Sequence, residues 1–161
     1  MTWVLNQTLR LTHLPRYFSA ATQLQTLDLS RNLLESIPAW VDAWGPGGFQ
    51  SLKATANFLT GLPEAIGAWG MCTTIMLSRN RIKRLPNSVS KLTALTTLWL
   101  DVNHLEFITP ALAFATRLRS LKLNLNNLTT LPPEMCKLVC LPSEGPALEG
   151  KPCSVLPPLC S

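Results

Sequence analysis

The sequence predicts an α/β solenoid, in which a parallel β-sheet forms one face and short helical or 3₁₀ segments form the other. Three observations predict it: a leucine-rich pattern that occurs five times, a nearly constant period, and an apolar pair that follows each copy. The copies begin at residues 24, 49, 72, 95 and 118, so the intervals are 25, 23, 23 and 23 residues. A fixed period of this length is typical of stacked repeats that share one core.

Each copy follows the pattern Leu-x-x-Leu-x-Leu-x-x-Asn-x-Leu-x-x-Leu, usually with Pro next. The Leu-x-Leu step places two apolar side chains on one face of a short strand. Asn at the ninth position suits the turn after the strand, because its amide can satisfy backbone groups that no neighbouring strand reaches. We therefore expect an asparagine ladder along the solenoid, formed by Asn32, Asn57, Asn80, Asn103 and Asn126.

A second apolar pair follows the last leucine position of every copy, and its two members are three residues apart. This spacing is one turn of a short helix or 3₁₀ segment, which we expect on the convex side of the solenoid. The pairs are Val41 with Trp44, Ile66 with Trp69, Val89 with Leu92, Leu112 with Ala115, and Met135 with Leu138.

Over residues 9–141 the repeat resembles the leucine-rich repeat family, because five copies agree in phase. The full unit is similar to the 23-residue class of plant intracellular Ras-group leucine-rich proteins, Ras-suppressor-like proteins and Scribble-type scaffolds. The resemblance implies a curved right-handed horseshoe segment with the parallel sheet on its concave face. Because members of this class are mainly cytosolic signalling scaffolds, it also implies a cytoplasmic protein.

The two ends of the chain depart from the repeat. Residues 1–23 are interpreted as a degenerate first repeat or an N-terminal cap, in which Asn6 falls on a core position and Leu9 replaces the ladder asparagine. Residues 24–141 hold the five repeats, and residues 142–161 hold five prolines. We expect a poorly ordered tail without a strand there. The strand of the last repeat would then be an uncapped edge. Such an edge could pair with a second copy in an edge-to-edge dimer, or it could indicate a truncated gene product or a splice form.

The inserted stretch Gly45-Pro46-Gly47-Gly48 accounts for the one longer interval, and we expect it to bulge outward. No stretch is long and apolar enough for a membrane helix, and the first residues lack the pattern of a secretory signal. The net charge of +5 comes with basic clusters at residues 79–84 and 117–122. Because these clusters lack interleaved aromatic residues, we favour an acidic protein partner over a nucleic acid.

The sequence contains no motif that predicts catalysis or a cofactor. The two histidines, His13 and His104, lie in different repeats and outside any nucleophile motif. Cys72 replaces a core leucine and is expected to be a buried thiol. Four cysteines near the C-terminus are interpreted as free thiols, with a disulfide-bonded cap and a zinc site as alternatives; they are Cys136, Cys140, Cys153 and Cys160.

The partner-binding surface is predicted on the concave face, at strand positions whose side chains point away from the core. Met76 and Trp99 are the two large apolar residues at its centre, and together they have the composition of a binding hot spot. The alternative is that Trp99 only covers neighbouring side chains. The predicted surface consists of Asp28, Arg31, Lys53, Met76, Arg79, Trp99, Asp101 and Lys122.

The sequence thus favours a non-catalytic interaction module, which we interpret as an intracellular signalling scaffold or adaptor that binds a protein. One alternative is a fragment of a secreted or receptor-type ectodomain, for which the Asn-x-Thr triplets at Asn6 and Asn127 are weak support. Another is the recognition part of a larger enzyme, such as a kinase or a ubiquitin ligase.

Overall fold

The computed structural model describes residues 1–5, 10–139 and 147–149 of the 161-residue chain. Its sheet contains seven three-residue strands, all parallel and ordered as they occur in the chain. They are β1 (Thr2–Val4), β2 (Thr26–Asp28), β3 (Ser51–Lys53), β4 (Thr74–Met76), β5 (Thr97–Trp99), β6 (Ser120–Lys122) and β7 (Ala147–Glu149). In β2 to β6 the middle residue is buried and the outer two are half-buried, as the Leu-x-Leu pattern predicts.

The return segments are 3₁₀ helices, as the spacing of three predicts. In the described part of the chain they are Arg16–Ala20, Ala39–Trp44, Glu64–Ala68, Asn87–Lys91, Pro110–Phe114 and Pro133–Met135, and the last continues into α1, Cys136–Val139. Five of the six are preceded by a proline, whose fixed φ sets the direction of entry. All ten residues of the predicted apolar pairs are buried, which confirms their place in the core.

Two tryptophans tie neighbouring return segments together within the core. Trp44 and Trp69 are fully buried and stack with their ring centroids 6.2 Å apart. The indole nitrogen of Trp44 donates a hydrogen bond to the carbonyl of Phe18 at 2.9 Å, and that of Trp69 donates to the carbonyl of Val41 at 2.8 Å. Each ring therefore fills the core and also satisfies a backbone acceptor of the preceding repeat.

The first repeat is complete, but its register differs from the one predicted. Trp3 pairs with Leu27. The Leu5 amide donates a hydrogen bond to the Asp28 carbonyl, and the Leu29 amide makes the equivalent hydrogen bond to the Lys53 carbonyl one repeat later. Leu5 therefore occupies the position of Leu29, so the assignment of Asn6 to a core position is wrong. Leu5 and Leu11 are six residues apart in the sequence, whereas the equivalent residues Leu29 and Leu34 are five apart. Residues 6–9, including Leu9, lie outside the described residues.

The C-terminal end also differs from the expectation. β7 pairs in parallel with β6, so the prediction that no strand follows residue 142 is wrong, and β6 is not an uncapped edge. Residues 140–146 and 150–161 lie outside the described residues, so the poorly ordered tail stays a prediction there. A dimer through the outer strands also stays a prediction.

The glycine-rich insertion lies against its neighbours rather than only bulging outward. A side chain added at Gly47 would meet the carbonyl oxygen of Thr22 in the preceding repeat, and one at Gly45 would meet that of Ala68 in the next. Gly48 has φ +77°, a conformation that favours glycine. Pro46 is exposed at the tip. The close approach of neighbouring backbone explains why glycine occupies positions 45 and 47, and the positive φ explains it at position 48.

Candidate functional site

The exposed face of the sheet carries one continuous row of side chains at the fifth position of each repeat. The strand register places neighbours in this row directly opposite one another, and every member is half-buried. The row runs in the order Asp28, Lys53, Met76, Trp99 and Lys122. Met76 and Trp99 form an apolar centre between charged neighbours, which is the distribution typical of a protein-binding patch, and beyond Asp28 the register extends the row to the exposed Val4.

Trp99 is held in place by two residues of the next strand. Its indole nitrogen donates to the hydroxyl of Ser120 at 3.0 Å, and the Lys122 ammonium lies 4.4 Å from the ring centroid. The ring thus leans over β6 instead of standing free in solvent. Met76 and Trp99 are both half-buried. The ring covers its neighbours and still presents part of its surface.

The acidic residues of the predicted surface are engaged in local hydrogen bonds. The Ser78 hydroxyl donates to the carboxylate of Asp101 at 2.5 Å, across adjacent repeats. The Asp28 carboxylate accepts from the amide of Ser30 at 2.9 Å, within its own turn. Both carboxylates are therefore oriented before any partner binds. Charged pairs at the edge of an interface contribute to specificity and to the association rate more than to affinity.

A backbone feature that the sequence did not predict follows each of the strands β2 to β6. The residue at the eighth position of each repeat has a left-handed conformation, with φ between 55° and 59°. These residues are Arg31, Ala56, Arg79, Val102 and Leu125. Asn or Gly would signal such a conformation, and here the Asn stands one residue later. Arg31 and Arg79 are exposed, and Leu125 keeps 72% of its side chain exposed, so the turn directs these side chains outward.

The asparagine ladder is part of the scaffold beneath this surface. The Asn57 amide nitrogen donates to the carbonyls of Leu29 and Ala54, and its oxygen accepts from the amide of Leu34. Each ladder residue repeats this pattern between two consecutive repeats. The hydrogen-bonded series is Asn32, Asn57, Asn80, Asn103 and Asn126. The ladder therefore fixes the turn that positions the eighth-position side chains.

The groups that could support chemistry are dispersed. His13 and His104 are exposed and lie in different repeats. Burial raises the pKa of the Cys72 thiol from 9.0 to about 12, which keeps it protonated and unreactive. Cys136 is a free, half-buried thiol, while Cys140, Cys153 and Cys160 lie outside the described residues. Within the described ranges no cluster of three histidine, cysteine or acidic residues could hold a metal ion.

Among the described residues, no helix has the length and apolar character that crossing a membrane requires.

Comparison with known proteins agrees with the repeat. The family model described as Leucine Rich Repeat matches residues 23–44. No curated protein matches the chain by sequence. Solved structures do match it in fold, and all of those compared below are much longer than this chain.

The chain is similar to the Toll receptor in the Toll–Spätzle complex of Drosophila, with 26% identity, a TM-score of 0.71, and 80% of this chain and 19% of that chain covered. It is similar to the plant peptide hormone receptor RGFR1 in complex with RGF2, with 29% identity, a TM-score of 0.66, and coverage of 78% and 21%. A leucine-rich-repeat protein of Leptospira interrogans has 26% identity, a TM-score of 0.58, and coverage of 80% and 38%. The chain thus spans less than two fifths of each structure's length. Its repeats, its parallel solenoid and these matches identify it as a leucine-rich-repeat protein.

Proposed function

We propose that this chain is a non-catalytic interaction module that binds a protein partner on the exposed face of its sheet, with Met76 and Trp99 at the centre of the contact. The observation that carries the proposal is the oriented Trp99 ring beside Met76, with the charged side chains of Lys53 and Lys122 on either side of the pair in the row. A large aromatic side chain that is already ordered loses little conformational freedom when a partner covers it. Such residues contribute most of the binding free energy in protein interfaces.

The similarity to Toll and RGFR1 supports a protein or peptide ligand, because both structures are complexes, with Spätzle and with RGF2. The leucine-rich-repeat fold itself is a framework for binding, and it supports the absence of catalysis in this chain. We extend the proposal to an intracellular scaffold or adaptor in the cytoplasm, because the 23-residue repeat unit resembles that of cytosolic leucine-rich-repeat scaffolds. Subcellular fractionation of the endogenous protein tests the compartment.

Affinity purification with quantitative mass spectrometry tests the binding surface. Tagged wild type is compared with the double variant Met76→Ala/Trp99→Ala in extracts of the source organism. The matched control is Tyr17→Ala/Phe114→Ala, which removes two exposed aromatic side chains from the 3₁₀ side. We expect partners to be lost from the sheet-face variant alone. Equal recovery by both variants, with native circular dichroism, rejects the sheet face as the binding surface.

A second candidate is a fragment of a receptor-type ectodomain, favoured by the similarity to the plant peptide hormone receptor RGFR1, whose structure is a complex with RGF2. This candidate requires oxidised C-terminal cysteines and a glycan on Asn6 or on the exposed Asn127. Intact mass measurement of the native protein, with and without reductant and glycosidase, discriminates the two candidates. Fully reduced thiols and no glycan rule against the ectodomain. A role as the recognition part of a larger enzyme predicts longer transcripts from the same locus.

A further inference from the structure

A cluster of cations lies on the loop that connects the end of β4 to its 3₁₀ segment, and one of them, Arg79, also belongs to the predicted sheet-face surface. We use the name turn edge for this loop, residues 79–84, together with the aligned residues of the adjacent repeats, 56–61 and 102–107. Arg79, Arg81, Lys83 and Arg84 are all exposed. Within the described residues none of the four has a carboxylate within ion-pair distance. This part of the surface therefore carries uncompensated positive charge.

One of these cations also covers an aromatic ring. The Arg81 guanidinium lies 4.5 Å from the centroid of the Phe58 ring, in the adjacent repeat. One face of Phe58 is thus occupied by a cation–π contact and is not available for stacking with a base. Binding of single-stranded nucleic acid combines a cationic groove with stacking on aromatic rings, and this contact leaves only one face of Phe58 for stacking.

The turn edge also contains a pocket of about 560 Å³ between repeats, which is large enough for a side chain. Its shape follows from the aligned positions Gly61, Arg84 and Phe107, which are 23 residues apart. Gly61 has no side chain, and a Cβ added there would meet nothing within 4 Å. Arg84 and the half-exposed Phe107 line the remaining walls, and Leu62 adds apolar surface. The missing side chain in one repeat thus opens the pocket.

The carboxylate that lines this pocket is already engaged. Glu64 accepts hydrogen bonds from the backbone amides of Asn87 at 3.0 Å and Ser88 at 2.8 Å. These contacts, with the Ser88 amide first, lower the pKa of Glu64, so it is charged at neutral pH and caps the next 3₁₀ segment. Arg84 remains the uncompensated charge of the pocket. Glu106 is an exposed acidic residue that aligns with Lys83 in the next repeat, so the positive charge of the cluster does not continue at that position.

We propose that the turn edge binds an acidic, extended segment of a protein partner, which inserts one apolar side chain into the pocket between Arg84 and Phe107. The charge of the cluster selects acidic residues, and Phe107 and Leu62 offer apolar contact to the inserted side chain within a lining that is otherwise mainly polar. Apart from Arg79, which the two surfaces share, the turn edge uses residues outside the sheet face, so one partner can contact both surfaces, or two partners can bind at once. Binding at the turn edge is independent of Met76 and Trp99.

An NMR titration tests the proposal. The probe is an acetylated peptide with a single apolar side chain, Asp-Glu-Ser-Phe-Glu-Asp, added to the ¹⁵N-labelled full chain at low ionic strength. We expect amide shifts to concentrate at Gly61, Arg84 and Phe107. In Gly61→Trp the new side chain has room to enter and fill the pocket, and Arg84→Glu reverses the charge at the pocket wall. Each variant is expected to bind the peptide about tenfold more weakly. The matched control Arg117→Glu, an exposed cation in another repeat, is expected to bind as the wild type does.

Three results overturn the proposal. The first is equal binding of a peptide with Ser in place of Phe, because the pocket would then have no role. The second is an unchanged titration of Gly61→Trp while its spectrum retains the native dispersion. The third is tighter binding of an oligothymidine to the same residues, which assigns the cluster to nucleic acid. A Trp99→Ala variant that titrates as the wild type does supports the independence of the two surfaces.

Discussion

Trp99 and Lys122 face each other in adjacent strands, and the lysine ammonium lies 4.4 Å from the centroid of the indole ring. Ser120, two residues before Lys122, accepts the indole N–H. The most prominent side chain of the sheet face is therefore fixed by two contacts from one neighbouring strand. Its position is set before a partner arrives, which reduces the entropic cost of binding.

A double-mutant cycle measures this contact directly. Trp99→Leu and Lys122→Met each remove one partner, and we expect a coupling of about 0.5–1 kcal/mol in the free energy of unfolding. The measurement is urea unfolding of the two single variants, the double variant and the wild type. The pair Trp99→Leu and Lys53→Met is the control, because Met76 separates these two positions in the row. If the control cycle shows a coupling energy as large as that of the Trp99–Lys122 cycle, the cation–π assignment is contradicted.

Removing one ladder residue destabilises two repeats at once. The Asn80 amide nitrogen donates to the carbonyls of Ala54 and Leu77, and its oxygen accepts from the amide of Leu59. Asn80→Ala leaves these buried groups without partners, so we expect a loss of about 3 kcal/mol in the free energy of unfolding. Asn127→Ala, at an exposed position, is the control and is expected to change it by less than about 0.5 kcal/mol. Chemical denaturation checks both values.

The sequence predicted the features that depend on side-chain periodicity. Strand positions, the 3₁₀ spacing and the buried apolar pairs follow from alternation and from the spacing of three, which are local properties of the chain. The resulting core contains Trp44 and Trp69, as expected, and their hydrogen bonds to the preceding repeat explain why tryptophan suits both positions. The order of the strands follows because each repeat can bury its apolar face only against its neighbours.

The features that the sequence did not predict depend on contacts or on backbone conformation. Leu5 takes the position equivalent to Leu29 because the residues of β1 pair with residues 24 positions later in the sequence, and not 23. Only the strand register reveals this offset. β7 was missed because proline content argues against strands without excluding a short one between prolines. The orientation of Trp99 depends on Ser120 and Lys122, which lie one repeat away.

The left-handed residue after each strand predicts a stabilising substitution. Val102 has φ 55°, a conformation that is costly for a β-branched residue and better tolerated by asparagine. We expect Val102→Asn to raise the free energy of unfolding by about 1 kcal/mol. Val4→Asn replaces an exposed valine in an extended strand and is the control, for which no gain is expected. Equal effects of both substitutions on the thermal midpoint contradict the explanation.

Burial of Cys72 predicts a specific loss of stability at alkaline pH. The folded state keeps the thiol proton up to about pH 12, whereas the unfolded chain releases it near 9.0. Above pH 9 the unfolded state therefore binds fewer protons, and stability falls as pH rises, by at most about 1.4 kcal/mol per pH unit. Cys72→Ala is expected to flatten this slope in urea unfolding between pH 9 and 11. An identical slope in the variant assigns the alkaline loss to other groups.

The central claim is that the half-buried pair Met76 and Trp99 provides the binding energy of this module. Isothermal titration calorimetry with the purified partner tests it most directly, using wild type, Met76→Ala/Trp99→Ala and the Tyr17→Ala/Phe114→Ala control. The account predicts at least about a thirtyfold weaker Kd for the sheet-face variant, which corresponds to about 2 kcal/mol, and an unchanged Kd for the control. An unchanged Kd for the sheet-face variant, with its fold intact by circular dichroism, would contradict the claim.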